Sequence, residues 1–167
     1  MPERPELAVR LGLEPHPEGG WYRQTWRSPV SVTLPDGRVR ATATLIHFLL
    51  PAGESSAWHR VSSDEIWLAH QGAVTLETGG DGSAPGVPTT HVVDLEYTQV
   101  LVPAGVWQRT VPSDQDALVT CLVSPGFDFE DFELVEAVQP VEDAGVRRAP
   151  ADPQDEPVDP GQPTNPA

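Results

Sequence analysis

Short β-rich segments separated by glycine and proline turns make up most of this chain. Trp21–Arg27 alternates aromatic and polar residues, and Arg38–Leu50 is a longer β-rich run. The same pattern recurs, with turn residues in between, at Val74–Glu77, His91–Glu96, Thr98–Val102, Arg109–Val111 and Leu118–Val123. A short helix is predicted at about Pro5–Leu11, before Gly12. Many short strands with such turns indicate an antiparallel all-β sandwich or barrel behind this N-terminal helix.

The composition changes near the C-terminus. The 167 residues suit a single core of ordinary size, but residues 140–167 hold seven prolines and no aromatic residue. A segment of this kind cannot bury enough apolar surface to offset the entropy lost on ordering. We therefore expect one domain over residues 1–139 and a disordered, acidic, proline-rich tail over residues 140–167.

Charge and residue usage exclude several functions. The formal net charge is −15, which repels phosphate backbones and anionic lipids, so neither nucleic acid nor a membrane is an expected partner. All ten basic residues are arginine, which excludes a lysine Schiff base. The first residues lack the apolar segment of a signal peptide, and we expect a cytoplasmic protein. The single cysteine, Cys121, lies in an apolar run and is predicted to be buried in the core.

The candidate chemistry lies in residues 53–72 and in the turn that precedes Gln108. His59 and Glu65 are six residues apart, between turn glycines. Side chains alternate along a strand, so Glu65 and Trp67 should share a face. We expect His59, Glu65 and Gln108 to line one cavity inside the barrel, with functional atoms on the order of 3 to 6 Å apart. Trp67 should form a wall of this cavity.

Three runs of residues carry a family resemblance. The first is Pro-His-Pro-Glu-Gly-Gly-Trp-Tyr-Arg over Pro15–Arg23, the second is the block His59–Trp67, and the third is Pro-Ala-Gly-Val-Trp-Gln over Pro103–Gln108. Together they resemble the cupin superfamily, and more closely its DUF985 or Cupin-5 subfamily, over about residues 7–136. The resemblance implies a cupin double-stranded β-helix, which is a jelly-roll barrel. It also implies a homodimer in which an N-terminal strand reaches the neighbouring barrel.

The resemblance further implies a metal-ligand set, from which this chain departs. His59 and Glu65 match cupin ligand positions, but Val61 stands where a second His is usual and Gln108 replaces a later His. His59, Glu65 and Gln108 could hold a divalent metal (Mn, Fe, Ni or Zn) with one imidazole fewer than a 2-His-1-carboxylate site. His47 could stand in if its strand parity is right. The alternative is a metal-free pocket in which His59 and Glu65 hydrogen-bond to each other.

Two function classes stay open, so the sequence does not decide whether the chain is an enzyme. One is an isomerase, epimerase or lyase acting on a small polar, sugar-like or anionic metabolite, with His59 and Glu65 in acid/base or ligand roles. The other is a non-catalytic ligand-binding or sensor cupin. Candidate contacts to the small-molecule ligand are Trp67, Gln108, Arg23, Tyr22, Trp58 and His47. The remaining histidines, which are predicted to be turn or surface residues, are His16, His70 and His91.

Overall fold

The computed structural model describes residues 3–135, and the alternating segments form antiparallel strands there. The helix is α1 (Glu6–Leu11). The strands are β1 (Glu14–Pro15), β2 (Trp21–Arg27), β3 (Ser31–Thr33), β4 (Val39–Ala41), β5 (Thr44–Leu50), β6 (His59–Val61), β7 (Asp64–Gln71), β8 (Val74–Thr78), β9 (Thr89–Val93), β10 (Gln99–Val102), β11 (Gln108–Val111), β12 (Ala117–Ser124) and β13 (Phe132–Leu134). A 3₁₀ turn, Phe129–Asp131, precedes the last strand.

Two antiparallel sheets enclose the core. Their strand orders are β1-β2-β5-β12-β7-β10 and β13-β6-β11-β8-β9, and β3 pairs with β4 separately. Buried side chains from both sheets meet between them, among them Phe48, Trp67 and Val119 from the first sheet and Leu76 and Val93 from the second. This is the jelly-roll arrangement, so the all-β prediction with a short N-terminal helix is confirmed.

Most strand boundaries agree with the sequence pattern. The strand Trp21–Arg27 agrees residue for residue. The predicted run 38–50 is two strands, because residues 42 and 43 lie between β4 and β5. The strand predicted at 91–96 instead ends at Val93, because the Asp94 carboxylate accepts the backbone N–H groups of Glu96 and Tyr97 and closes a turn there.

The structure covers only part of what the sequence predicts about the domain boundary and about membrane-spanning segments. The predicted boundary between residues 139 and 140, and the tail over 140–167, lie outside the described residues. Within residues 3–135, no helix has the length and apolar character needed to cross a bilayer.

Candidate functional site

A small cavity lies between the two sheets, and its walls follow from strand alternation. Thr44, Ile46 and Phe48 of β5 face it, since alternate residues of a strand share a face. Its volume open to the centre of a water molecule is about 30 Å³. The remaining walls are largely aromatic and aliphatic. Six side chains with titratable groups face this space: His16, Glu18, Tyr22, His59, Glu65 and Cys121.

His16 and Glu18 reach the cavity because the loop that carries them lies against the barrel wall. Gly19 has a φ of +108°, and a Cβ there would lie 2.3 Å from the Ser55 carbonyl oxygen. Gly20 has a φ of +73°, and its Cβ would lie 2.9 Å from the Phe48 ring. Only glycine allows both this backbone conformation and this close approach. The two glycines therefore let the loop enter far enough for Glu18 to point inward.

The hydrogen bonds of His59 define where its proton lies. Nδ1 is 2.8 Å from the Ala57 carbonyl oxygen, which only accepts, so Nδ1 carries the ring proton. In the neutral ring Nε2 then presents a lone pair, and it lies 3.1 Å from Glu18 Oε2. Two lone pairs do not face each other at this distance without a proton between them. Glu18 and His59 therefore share a proton.

Burial decides which partner holds that proton. Both side chains are almost completely buried, with 2% exposed for His59 and 8% for Glu18. Burial lowers the pKa of His59 to about 4, against a hydrogen bond to Ala57 that raises it. Burial, together with the nearby Glu65, holds the pKa of Glu18 well above its usual range. The pair is therefore neutral at physiological pH, with a protonated Glu18 donating to His59.

His16 is a second buried imidazole beside the same carboxyl group. Its Nδ1 accepts the Glu18 backbone N–H at 3.2 Å and lies 3.6 Å from Glu18 Oε2. Burial, with a further contribution from His59, lowers the pKa of His16 to about 4. The ring packs edge-on against Tyr22, with centroids 4.5 Å apart. His16 lies at a turn, as predicted, since its carbonyl oxygen accepts the Gly19 backbone N–H at 3.0 Å, but its side chain is not at the surface and forms a wall of the cavity.

Glu65 lines the cavity and is oriented by a chain of two hydrogen bonds. Gln108 Nε2 donates to Glu65 Oε2 at 2.5 Å, and Trp67 Nε1 donates to Gln108 Oε1 at 2.9 Å. Burial raises the pKa of Glu65 to about 7, although hydrogen bonds from Gln108 and Cys121 lower it. Cys121 is buried as predicted, but its thiol faces the cavity; burial and the carboxyl groups raise its pKa.

The geometry corrects two of the positions and one of the pairings predicted for the site. Gln108 and Trp67 do not line the cavity; they lie behind Glu65 and orient it. The partner of His59 is Glu18 and not Glu65. Sequence reasoning missed Glu18, for which the only signal was its place in the Pro-His-Pro-Glu-Gly-Gly run.

The other candidate residues divide between the cavity and the protein surface. Tyr22 lines the cavity, and its neighbour Arg23 lines a groove outside it. His47 has the wrong strand parity to join the site, because Ile46 and Phe48 take the inward face; its Nδ1 lies 3.4 Å from Thr120 Oγ1. Trp58 lies away from the cavity, and its ring stacks under the Arg109 guanidinium at 4.8 Å.

The donor set does not fit the metal site that the cupin pattern implies. Val61, a buried apolar residue, lines the cavity where the second imidazole would stand. Both ends of the Gln108 amide are engaged by Trp67 and Glu65, so neither is free to bind a cation. Across residues 3–135 no group of three His, Cys, Asp or Glu side chains is arranged to hold a metal ion.

Comparison with known proteins identifies the family. The family model for DUF985, a family of the cupin superfamily, matches residues 5–135. A solved structure from Shewanella oneidensis, protein SO0799, is 37% identical with a TM-score of 0.68, over 81% of this chain and 85% of that one. A hypothetical protein from Leishmania major is 33% identical with a TM-score of 0.68, over 77% and 84%. The uncharacterised protein YML079W of Saccharomyces cerevisiae is 28% identical over 81% of this chain and 78% of its own length. The chain therefore belongs to the DUF985 family of the cupin superfamily.

Proposed function

We propose that this protein binds a small polar molecule in the cavity and transfers a proton on it, as an isomerase, epimerase or lyase does. The observation that carries the proposal is the 3.1 Å contact between His59 Nε2 and Glu18 Oε2 in a cavity that also holds Glu65. Two carboxyl groups and an imidazole, all buried and differing in pKa, are what acid–base chemistry at neutral pH requires.

The Glu18–His59 pair can accept a proton without leaving a lone pair unmatched. A proton from a carbon next to a substrate carbonyl enters Glu18 on Oε1, while the proton on Oε2 passes to His59 Nε2. Glu18 stays a neutral acid, and the positive charge ends on His59. This relay needs the hydrogen bond from His59 Nδ1 to Ala57, which fixes the tautomer.

Glu65 supplies the proton that the substrate oxygen takes up. With a pKa of about 7, Glu65 is protonated in about half of the molecules at neutral pH. When it donates to the carbonyl oxygen it becomes a carboxylate, which balances the charge formed on His59. The product is an enol, and return of the proton to the other face or to the neighbouring carbon gives an epimer or an isomer.

A non-catalytic binding protein is the second candidate function. It is favoured by Val61, which replaces a ligand of the usual cupin pattern with a buried apolar side chain. Such a protein would keep the cavity and its hydrogen bonds but would not turn its ligand over. The two candidates differ in one measurable property, which is exchange of carbon-bound hydrogen.

Proton exchange on dihydroxyacetone in D₂O, followed by ¹H NMR, tests the proposal. The full chain should accelerate loss of the carbon-bound proton signal, and Glu18→Gln or Glu65→Gln should each reduce that rate about 100-fold. Glu18→Gln separates hydrogen bonding from proton transfer, because its amide still donates to His59 but cannot relay a proton. Glu96→Gln, at an exposed bend, is the matched control and should leave the rate unchanged.

The outcomes separate the two candidates. The exchange rate should be highest between about pH 4 and 7, because it needs His59 neutral and Glu65 protonated. Binding of dihydroxyacetone without exchange over this pH range would contradict proton transfer and support the binding protein. Neither binding nor exchange would contradict both.

A further inference from the structure

The cavity between the two sheets holds no permanent positive charge. Its wall residues, all within 3–135, include no arginine, and the chain contains no lysine. Several arginines elsewhere in the barrel bind carboxylates, as Arg40 binds Asp131 at 2.9 Å. Arg23 is paired in register with His47, on the face of the first sheet that points away from the cavity. An anion that entered the cavity would therefore meet no cationic side chain.

The acidic groups of the cavity are held close to neutrality. Glu18 faces His59 at 3.1 Å as a neutral acid, and burial keeps the pKa of Glu18 well above its usual range. The pKa of Glu65 is about 7, and burial lowers the pKa of His16 and of His59 to about 4. At pH 6 the carboxyl groups are therefore mostly protonated and the imidazoles are neutral. A cation that entered the cavity at this pH would meet no full negative charge.

Aromatic and aliphatic side chains surround these groups. The rings of Tyr22, Phe48 and Phe132 form much of the wall, and the Phe132 and His59 rings have centroids 5.7 Å apart. Moving a charge from water into such surroundings is unfavourable unless an opposite charge receives it. An uncharged carbonyl group loses less hydration, and it can accept a hydrogen bond from a protonated carboxyl group. The cavity therefore selects for an uncharged ligand.

The charge of the whole chain acts in the same direction on anions. A formal net charge of −15 disfavours their approach to the protein. The same charge attracts cations, but to the exposed surface, where they keep their hydration. The two kinds of ion are thus kept out of the cavity for different reasons, which one set of probes can separate.

Building on the proposed function, we propose that the ligand is an uncharged carbonyl compound of a few non-hydrogen atoms. Its carbonyl oxygen accepts a hydrogen bond from Glu65, and its carbon atoms pack against the rings of Phe48 and Phe132. The volume open to the centre of a water molecule, about 30 Å³, sets its size. The sequence leaves both a sugar-like and an anionic ligand open, and the cavity favours the uncharged class.

Three probes of the same shape test this selection: acetamide is uncharged, acetate is anionic and acetamidinium is cationic. Each is titrated into the full chain at pH 6. Binding is measured from the NMR signals of the Val61 and Val123 methyl groups, which line the cavity, so ions bound at the exposed surface are not counted. Acetamide should bind at least about tenfold tighter than either charged probe.

Substitutions at two neighbouring positions of β5 locate the bound probe. Ile46→Phe adds a ring on the face that lines the cavity and should weaken acetamide binding at least about tenfold. Leu45→Phe adds the same ring on the opposite face of the strand and should leave binding unchanged. Acetamide binding that survives Ile46→Phe would place the probe elsewhere and overturn this inference.

The failure of this inference is distinguishable from that of the proposed function. Acetate or acetamidinium binding as tightly as acetamide would overturn the inference, as would absence of binding by all three probes. Exchange on dihydroxyacetone without a preference for acetamide would leave proton transfer standing. A preference for acetamide without exchange would support the uncharged ligand and contradict proton transfer.

Discussion

Replacing Glu65 by Gln should change how the stability of this protein depends on pH. The substitution keeps the shape of the side chain, and its amide oxygen can still accept the hydrogen bond from Gln108 Nε2. What it removes is a buried group that titrates. The free energy of unfolding of the wild type should therefore fall as the pH rises, relative to that of the variant.

The magnitude follows from the pKa of Glu65. Burial raises that pKa from its ordinary value of 4.5 to about 7 in the folded chain. In this interval the folded protein keeps a proton that the unfolded chain has released, so raising the pH favours unfolding. At about 1.4 kcal/mol for each pH unit, the full loss is about 3 kcal/mol. It is complete about one unit above pH 7.

Urea unfolding of wild type and Glu65→Gln at pH 5 and pH 8 measures this difference. About 2.5 kcal/mol of the relative change should fall between these two values. His16 and His59 contribute with the opposite sign, because their lowered pKa values mean that stability is lost as the pH falls. Both proteins share these histidines, so the comparison isolates Glu65.

Glu96→Gln, at an exposed bend, is the control and should follow the wild-type curve. If the free energies of unfolding of wild type and Glu65→Gln stay parallel from pH 5 to pH 8, the Glu65 carboxyl is not held in its neutral form. The acid role assigned to it would then lose its basis.

Two further predictions concern the loop at the cavity and the assembly. Gly19→Ala should cost about 3 kcal/mol in urea unfolding, because its Cβ would lie 2.3 Å from the Ser55 carbonyl oxygen at a φ of +108°. Gly53→Ala, at a φ of +81° with nothing within 4 Å, should cost about 1 kcal/mol, and equal losses would argue against the close approach of the loop. Light scattering should give a homodimer of about twice 18.0 kDa, and a monomer at micromolar concentration would contradict this.

The sequence alone determined the class of fold and the main residues of one side of the site. Strand alternation is a local property, which is why Trp21–Arg27 could be delimited and why Glu65 and Trp67 were expected on one face. The turn residues near His59 and Gln108 carry local information of the same kind. Motif spacing then led to the cupin family, which the comparisons confirm.

Only the tertiary structure decided which groups meet. Glu18 and His59 are 41 positions apart in sequence, and they touch because a loop with two glycines enters the barrel beside Ser55 and Phe48. Gln108 is hydrogen-bonded to Glu65 but lies behind it and does not line the cavity. Strand alternation predicts which face a side chain takes, but it does not predict which of two side chains on that face reaches the cavity. Local patterns specify the face that a side chain takes. Its partner depends on register and on the close approach of distant segments, which only the folded chain defines.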